Sequence, residues 1–161
     1  MRKQLILVRH GKSSWEFDVR DHDRPLIQKG IDDAHAIGKS LREFPSRPDV
    51  IWSSTAARAL QTATILTEYI DYDLKKLQLK RALYTFDSQD LLEIVKTIDE
   101  NINCAMLVSH NHGLTDLANL LGSERFVNVP TTGTVMIEFE SNTWKTITNG
   151  KTTFHLFPKN L

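Results

Sequence analysis

An uninterrupted apolar run, Leu5-Ile6-Leu7-Val8, ends abruptly at Arg9-His10-Gly11-Lys12. Consecutive apolar residues leave neither face of a strand for water, so the run is predicted to be a strand buried on both faces, as in a parallel sheet covered by helices. The same signature returns in Ala105-Met106-Leu107-Val108, which runs into Ser109-His110-Asn111-His112-Gly113. Neighbouring side chains on a strand point to opposite faces, so Arg9 and His10 share one pocket only where the chain is already turning. Gly11 suits such a turn.

The intervening chain alternates between the two kinds of element. Ser13 to Arg24 is polar and aromatic without a clear period and reads as a loop over the mouth of a site. Ile31, Ala34, Ile37, Gly38 and Leu41 form a helical stripe within Gln28 to Phe44, ended by Pro45 and Pro48. Asp49-Val50-Ile51-Trp52 is a second strand. Ser53, Ser54 and Thr55 then offer caps for a helix over roughly Ala56 to Ile70. Leu74 to Leu83 reads as a short edge strand, and Asp87 or Ser88 caps a helix through Leu91, Ile94, Val95 and Ile98. A last helix runs through Leu114, Leu117, Ala118 and Leu121, with Gly122 as its stop.

Beyond Gly122 the pattern changes. Thr134 to Phe139, Thr143 to Ile147 and Thr152 to Phe157 read as two or three antiparallel strands joined by Ser141-Asn142 and Asn149-Gly150 turns. The whole is expected to be one domain over residues 1–161. Its expected fold is a three-layer α/β/α sandwich with a mostly parallel central sheet and a C-terminal antiparallel hairpin.

Composition narrows the partners. Basic and acidic residues cancel at 20 each, so no charge excess points to nucleic acid or an anionic membrane. No apolar segment reaches the length of a membrane span or a signal-peptide core, and a cytoplasmic location is expected. The single cysteine, Cys104, begins an apolar run and reads as a small core residue.

Three strand-to-helix turns carry the chemistry. In a doubly wound sheet such turns collect beyond the carboxyl ends of the strands, where ligands bind. The first turn offers Arg9 and His10, and the third offers His110. The second offers Arg58, in the first turn of its helix, where backbone amides and the helix dipole favour an anion. Two arginines and two histidines from three turns could thus converge on one phosphate-sized anion. These turns lack carboxylates, which argues against a metal centre; a His110-x-His112 site completed by His22 or His155 has no carboxylate or Cys partner at a definable spacing.

Leu7-Val8-Arg9-His10-Gly11, Ser53 to Ala63 and Val108-Ser109-His110-Asn111 resemble, in order and spacing, the three signature segments of the histidine phosphatase, or phosphoglycerate mutase-like, superfamily. With Asp23-Arg24-Pro25-Leu26 after the first segment, the short chain looks most like the SixA-type branch of phosphohistidine phosphatases. The resemblance implies that His10 is a nucleophile forming a phosphohistidine intermediate, with Arg9, Arg58 and His110 binding the phosphoryl group. It implies no cofactor and no metal. The substrate it implies is a phosphorylated protein, with phosphohistidine foremost, or a small phosphate ester. A phosphoglycerate mutase-like transfer and a non-catalytic phosphate- or phosphoprotein-binding module are the alternatives.

This chain departs from the family pattern in carrying Ser109 before the motif histidine, where glycine is common, and His112 where proline is frequent. His112 reads as a solvent-facing turn residue. Asp87 is the candidate general acid and equally a helix cap, while Asp18, Asp21 and Asp23 in the first loop are further candidates for the acid or for structural roles. An imidazole departs from phosphorus more readily than an alkoxide, so a phosphohistidine substrate demands less of any acid. Lys12, Ser14 and Trp15 either line the pocket or serve as solvated and packing residues. Thr62, one turn after Arg58, either supports that arginine or faces the sheet. Thr131-Thr132-Gly133 either closes the pocket from the side or simply enters a strand.

Overall fold

In the computed structural model, which describes residues 2–161, the strands and helices build one six-stranded sheet covered on both faces. In chain order they are β1 (Lys3–Arg9), α1 (Gln28–Arg42), β2 (Val50–Ser53), α2 (Ala57–Tyr69) and β3 (Gln78–Leu79). There follow α3 (Ser88–Lys96), β4 (Cys104–Ser109), α4 (Gly113–Leu121), β5 (Thr134–Phe139) and β6 (Lys151–Leu156). The sheet order is β3-β2-β4-β1-β5-β6; the first four strands run parallel, and β5 is antiparallel to both its neighbours. The expected three-layer α/β/α sandwich with a C-terminal hairpin is therefore the fold adopted.

The apolar run of β1 splits by its period of two. Leu5 and Leu7 join the core beneath α3 and α4, with Leu91, Val95, Leu114 and Leu117, whereas Ile6 and Val8 join the core beneath α1 and α2, with Ile37, Leu41, Ala63 and Leu66. Ala105 and Leu107 of β4 follow the first pair, Met106 and Val108 the second. Both layers depend on these two strands, and each fully buried Leu or Ile contributes roughly 1.5–3 kcal/mol.

Two segments differ from the expectation. Between Leu74 and Leu83 only Gln78 and Leu79 pair with the sheet, because short 3-10 turns at Leu74–Lys76 and Arg81–Leu83 take the rest; the Asp73 carboxylate accepts from the Lys75 amide and starts the first of them. Thr143 to Ile147 is not a strand. Trp144 plugs the core there and donates its indole N–H to the Ile102 carbonyl, which holds the segment off the sheet.

Register fixes the level of the site. Val8 pairs with Val108, and Val108 pairs with Ser53, so β1, β4 and β2 end side by side and their following turns leave the sheet together. Gly11 is needed there for room: no glycine has a positive φ, but a Cβ on Gly11 would lie 3.0 Å from Leu26 and 3.2 Å from the Gly30 carbonyl. Among the described residues, no helix is long and apolar enough to cross a membrane.

Candidate active site

The β1 turn holds its histidine by two backbone bonds. The His10 amide donates to the Ser109 carbonyl, while its own carbonyl accepts from Thr132. The imidazole Nδ1 lies 2.7 Å from the Gly11 carbonyl, which can only accept, so Nδ1 carries the proton and Nε2 presents its lone pair. Burial pushes the His10 pKa down to about 3, reinforced by the charges of Arg58, Arg9 and Arg24 and only partly opposed by the Gly11 bond. His10 is thus a neutral imidazole with a fixed tautomer, the form in which it is nucleophilic.

Arg58 comes from the second residue of α2 and is almost wholly buried. Its Nε donates to His10 Nε2 at 3.3 Å, and its two terminal nitrogens are held by Asp21, one on the backbone carbonyl at 2.7 Å and one on the carboxylate at 3.0 Å. Thr62 ties this helix to the first turn: its hydroxyl donates to the Arg58 carbonyl and accepts from the Gly11 amide. The supporting role considered for Thr62 is the one it has.

His110 follows β4, between β1 and β2, with its ring centroid 5.0 Å from that of His10. Ser54 Oγ accepts from the Ala56 amide and lies 2.8 Å from His110 Nε2. The other ring nitrogen of His110, Nδ1, is buried and has no partner among the described residues. Burial, then the neighbouring His10 and Arg58, push the His110 pKa down to about 2. Arg9 is anchored by one terminal nitrogen on the Val129 carbonyl, and its buried Nε likewise has no partner. Unpaired buried nitrogens are costly, and a cluster of them beside two arginine charges suits an anion rich in acceptor oxygens.

The structure brings Arg9, His10, Arg58 and His110 together but leaves Asp87 out. Asp87 caps α3, accepting from the Gln89 amide at 2.9 Å, and is absent from the lining of the 310 Å³ cavity that opens over His10. The carboxylate in that cavity is Asp21. It accepts from Tyr84 at 2.6 Å, from Arg58 at 3.0 Å and from Arg24 at 3.2 Å. Partial burial pushes its pKa up, but these hydrogen bonds, with the Arg58 charge, outweigh that and hold it at about 2. Asp21 is therefore ionised and cannot donate a proton at neutral pH.

The remaining candidates divide. Lys12, Trp15 and Thr131 line the cavity. Ser14 does not: it is buried and accepts from the Glu16 amide, while its carbonyl receives Arg24. His112 is exposed at the start of α4 beside Asp116, as expected of a solvent-facing residue. No cluster of three metal-ligating side chains occurs among the described residues. None of the three capping candidates caps α2, whose cap position is Ala56; Ser53 bonds the Ser54 carbonyl, Ser54 holds His110 and Thr55 meets His22 Nε2. Sequence reasoning missed Ser54 as the partner of His110, and Tyr84 and Arg24 as partners of Asp21. Only the Asp23-Arg24-Pro25-Leu26 segment hinted at any of these.

Comparison with known proteins bears on the family and the fold. Residues 5–84 match the model of the histidine phosphatase superfamily (branch 1), a span that includes Arg9, His10 and Arg58. A Mycobacterium tuberculosis protein of unassigned function is 31% identical over 116 residues, covering 72% of this chain and 70% of its own. The crystal structure of a protein from Agrobacterium tumefaciens assigned as phosphohistidine phosphatase SixA superposes with a TM-score of 0.80 at 25% identity, covering 96% of this chain and 97% of that one. The protein histidine phosphatase SixA complexed with tungstate superposes with a TM-score of 0.78 at 20% identity, covering 98% of each chain. By sequence match and fold together, this chain belongs to the histidine phosphatase superfamily, in its SixA-type branch.

Proposed function

We propose that this protein is a metal-independent phosphatase that removes the phosphoryl group from phosphohistidine on a protein, through a covalent intermediate on His10. The observation that carries the reading is the state of His10: neutral, with Nδ1 tied to the Gly11 carbonyl and Nε2 facing Arg58 at 3.3 Å. Nε2 attacks phosphorus in line, forming one P–N bond as the bond to the leaving group breaks. Arg9, Arg58 and His110 take the negative charge on the equatorial oxygens, where each such donor contributes on the order of 10²-fold in rate. Water then cleaves the P–N bond to His10 and inorganic phosphate departs.

The leaving group follows from the acids at hand. Asp21 is ionised and Asp87 caps a helix, so the site lacks a strong proton donor. A phosphorylated imidazole protonated on its second ring nitrogen departs as a neutral ring and needs no such donor, whereas an alkyl ester must expel an alkoxide. Phosphate release from a phosphohistidine-bearing protein and from alkyl phosphates, measured with and without chelator in wild type and His10→Ala, tests the reading. The expected result is chelator-resistant release from phosphohistidine, lost in the variant, with an acid-labile, base-stable phosphoenzyme trapped in wild type. Equal release by wild type and His10→Ala overturns it.

A further inference from the structure

The mouth of the cavity carries two aromatic side chains that the fold leaves largely in water. Trp15 is 79% exposed and Phe86 is 52% exposed, and both line the same cavity as His10 and Arg58. Neither is loose. The Arg24 guanidinium lies 3.5 Å from the centre of the Trp15 indole, and Arg24 is itself held by the Asp21 carboxylate and the Ser14 carbonyl. Phe86 packs edge-on against His110 and Tyr84, with ring centroids 5.4 and 5.7 Å away. One face of the indole is committed to a cation, and Phe86 is braced against a phosphate-site histidine. Two braced rings with free apolar surface at the opening of an anion pocket form a preorganised platform.

We infer that Trp15 and Phe86 form a leaving-group subsite that selects a planar ring attached to the phosphoryl group, such as an imidazole or an aryl group, over a non-planar group of equal size. This rests on the reading above, because in-line attack by His10 directs the leaving group away from the buried imidazole and toward the cavity mouth. Trp15 and Phe86 are the aromatic carbon surfaces on the lining, whereas Lys12, Asn111 and Thr131 are polar and favour no ring over a flexible chain. Stacking tolerates any flat ring, so the subsite reads planarity and leaves the identity of the ring to the rest of the substrate.

The test separates the subsite from turnover. Phenylphosphonate and cyclohexylphosphonate, which are not hydrolysed, are titrated calorimetrically against wild type, Phe86→Leu, Trp15→Leu and Phe86→Tyr. Wild type is expected to bind the phenyl compound about fivefold more tightly, the two leucine variants to lose most of that preference, and Phe86→Tyr to keep it. Both aromatic residues are exposed, and the retained preference of Phe86→Tyr controls for misfolding. Equal affinity for the two probes in wild type, or a preference that survives both leucine variants, overturns the subsite. Hydrolysis of phosphoimidazole, phenyl phosphate and cyclohexyl phosphate is then measured with the same variants. A phenyl preference in binding without hydrolysis of any substrate supports the subsite while overturning the catalytic reading. A parallel loss of kcat/KM on all three substrates in Phe86→Leu overturns leaving-group selection.

Discussion

Asp21 grips Arg58 at two points, with its carboxylate 3.0 Å from one terminal nitrogen and its backbone carbonyl 2.7 Å from the other. Of the remaining donors, Nε faces His10 Nε2, and each terminal nitrogen keeps one N–H for an incoming oxygen. The carboxylate therefore aims the arginine, although its charge opposes that of an incoming phosphate. Asp21→Asn is expected to lower kcat/KM by about 10- to 100-fold through misplacement of Arg58, as small displacements at reacting groups do. Steady-state kinetics check this, and an unchanged kcat/KM would remove the aiming role. The pH sense is fixed by the shift from 3.8 to about 2: the contact is fully formed above pH 3.8 and is lost as pH falls through about 2. It contributes no limb to a rate profile near neutrality.

His10 and His110 couple the fold to pH in the same sense. Their pKa values lie at about 3 and about 2 in the folded protein, against 6.5 for an ordinary histidine. Below pH 6.5 the unfolded chain takes up protons that the native site refuses, so stability is complete above 6.5 and declines toward pH 3, by at most about 1.4 kcal/mol per pH unit for each group. Urea unfolding at pH 7 and pH 5 measures the slope. His10→Gln and His110→Gln should each flatten it, and a slope indifferent to both would show that these rings are not held neutral.

Ser54 holds His110 in place. Its hydroxyl lies against both the Ala56 amide and His110 Nε2, so Ser54→Ala removes the ring's partner and strands one buried amide. Activity is expected to fall about tenfold, with a loss of roughly 1 kcal/mol in stability. Kinetics and denaturant unfolding on the same preparation read both effects.

At the opposite end of β1, Lys3 is buried with its ammonium on the carbonyls of Glu100 and Ile102 and on Asn103 Oδ1, at 2.6, 2.9 and 3.0 Å. Lys3→Met removes the shared donor and leaves the Glu100 carbonyl and Asn103 Oδ1 without it, while the Ile102 carbonyl keeps the Trp144 indole N–H. The expected cost is about 2–3 kcal/mol in the urea unfolding free energy, with kcat per folded molecule unchanged. Cys104, also buried and with its thiol pushed up to about 12 by burial and then Asp49, should resist thiol reagents until the protein unfolds.

The legible parts of this chain were those where one short segment contains both its structure and its chemistry. Leu5 to Val8 reads as a strand buried on both faces with a turn after it, so the place of Arg9 and His10 is legible locally, while their joint role needs the other two turns beside it. The same holds for Val108-Ser109-His110. Asp21 is one carboxylate of four in a loop without period; what singles it out is Tyr84 and Arg58 arriving from other parts of the chain, with Arg24 beside them. Ser54 looked like a helix cap because its local sequence suits one, yet its hydroxyl is drawn away by a histidine on the neighbouring strand's turn. Asp87 shows the reverse, with its local capping propensity prevailing over a catalytic role. Thr143 to Ile147 has the composition of a strand, but Trp144 is drawn into the core and onto the Ile102 carbonyl, a tertiary contact that composition does not encode.

The register that levels β1, β4 and β2 also makes the site indivisible. His10, Arg58 and His110 come from the early, middle and late parts of the chain and meet only because β4 inserts between the two earlier strands. A chain cut short of β4 lacks His110 and cannot bring the four residues together. Chain completion, during synthesis or refolding, therefore acts as a licence for reactivity: a half-made polypeptide bearing His10 has no His110 beside it and cannot assemble the full phosphoryl-binding set before the late strand is in place.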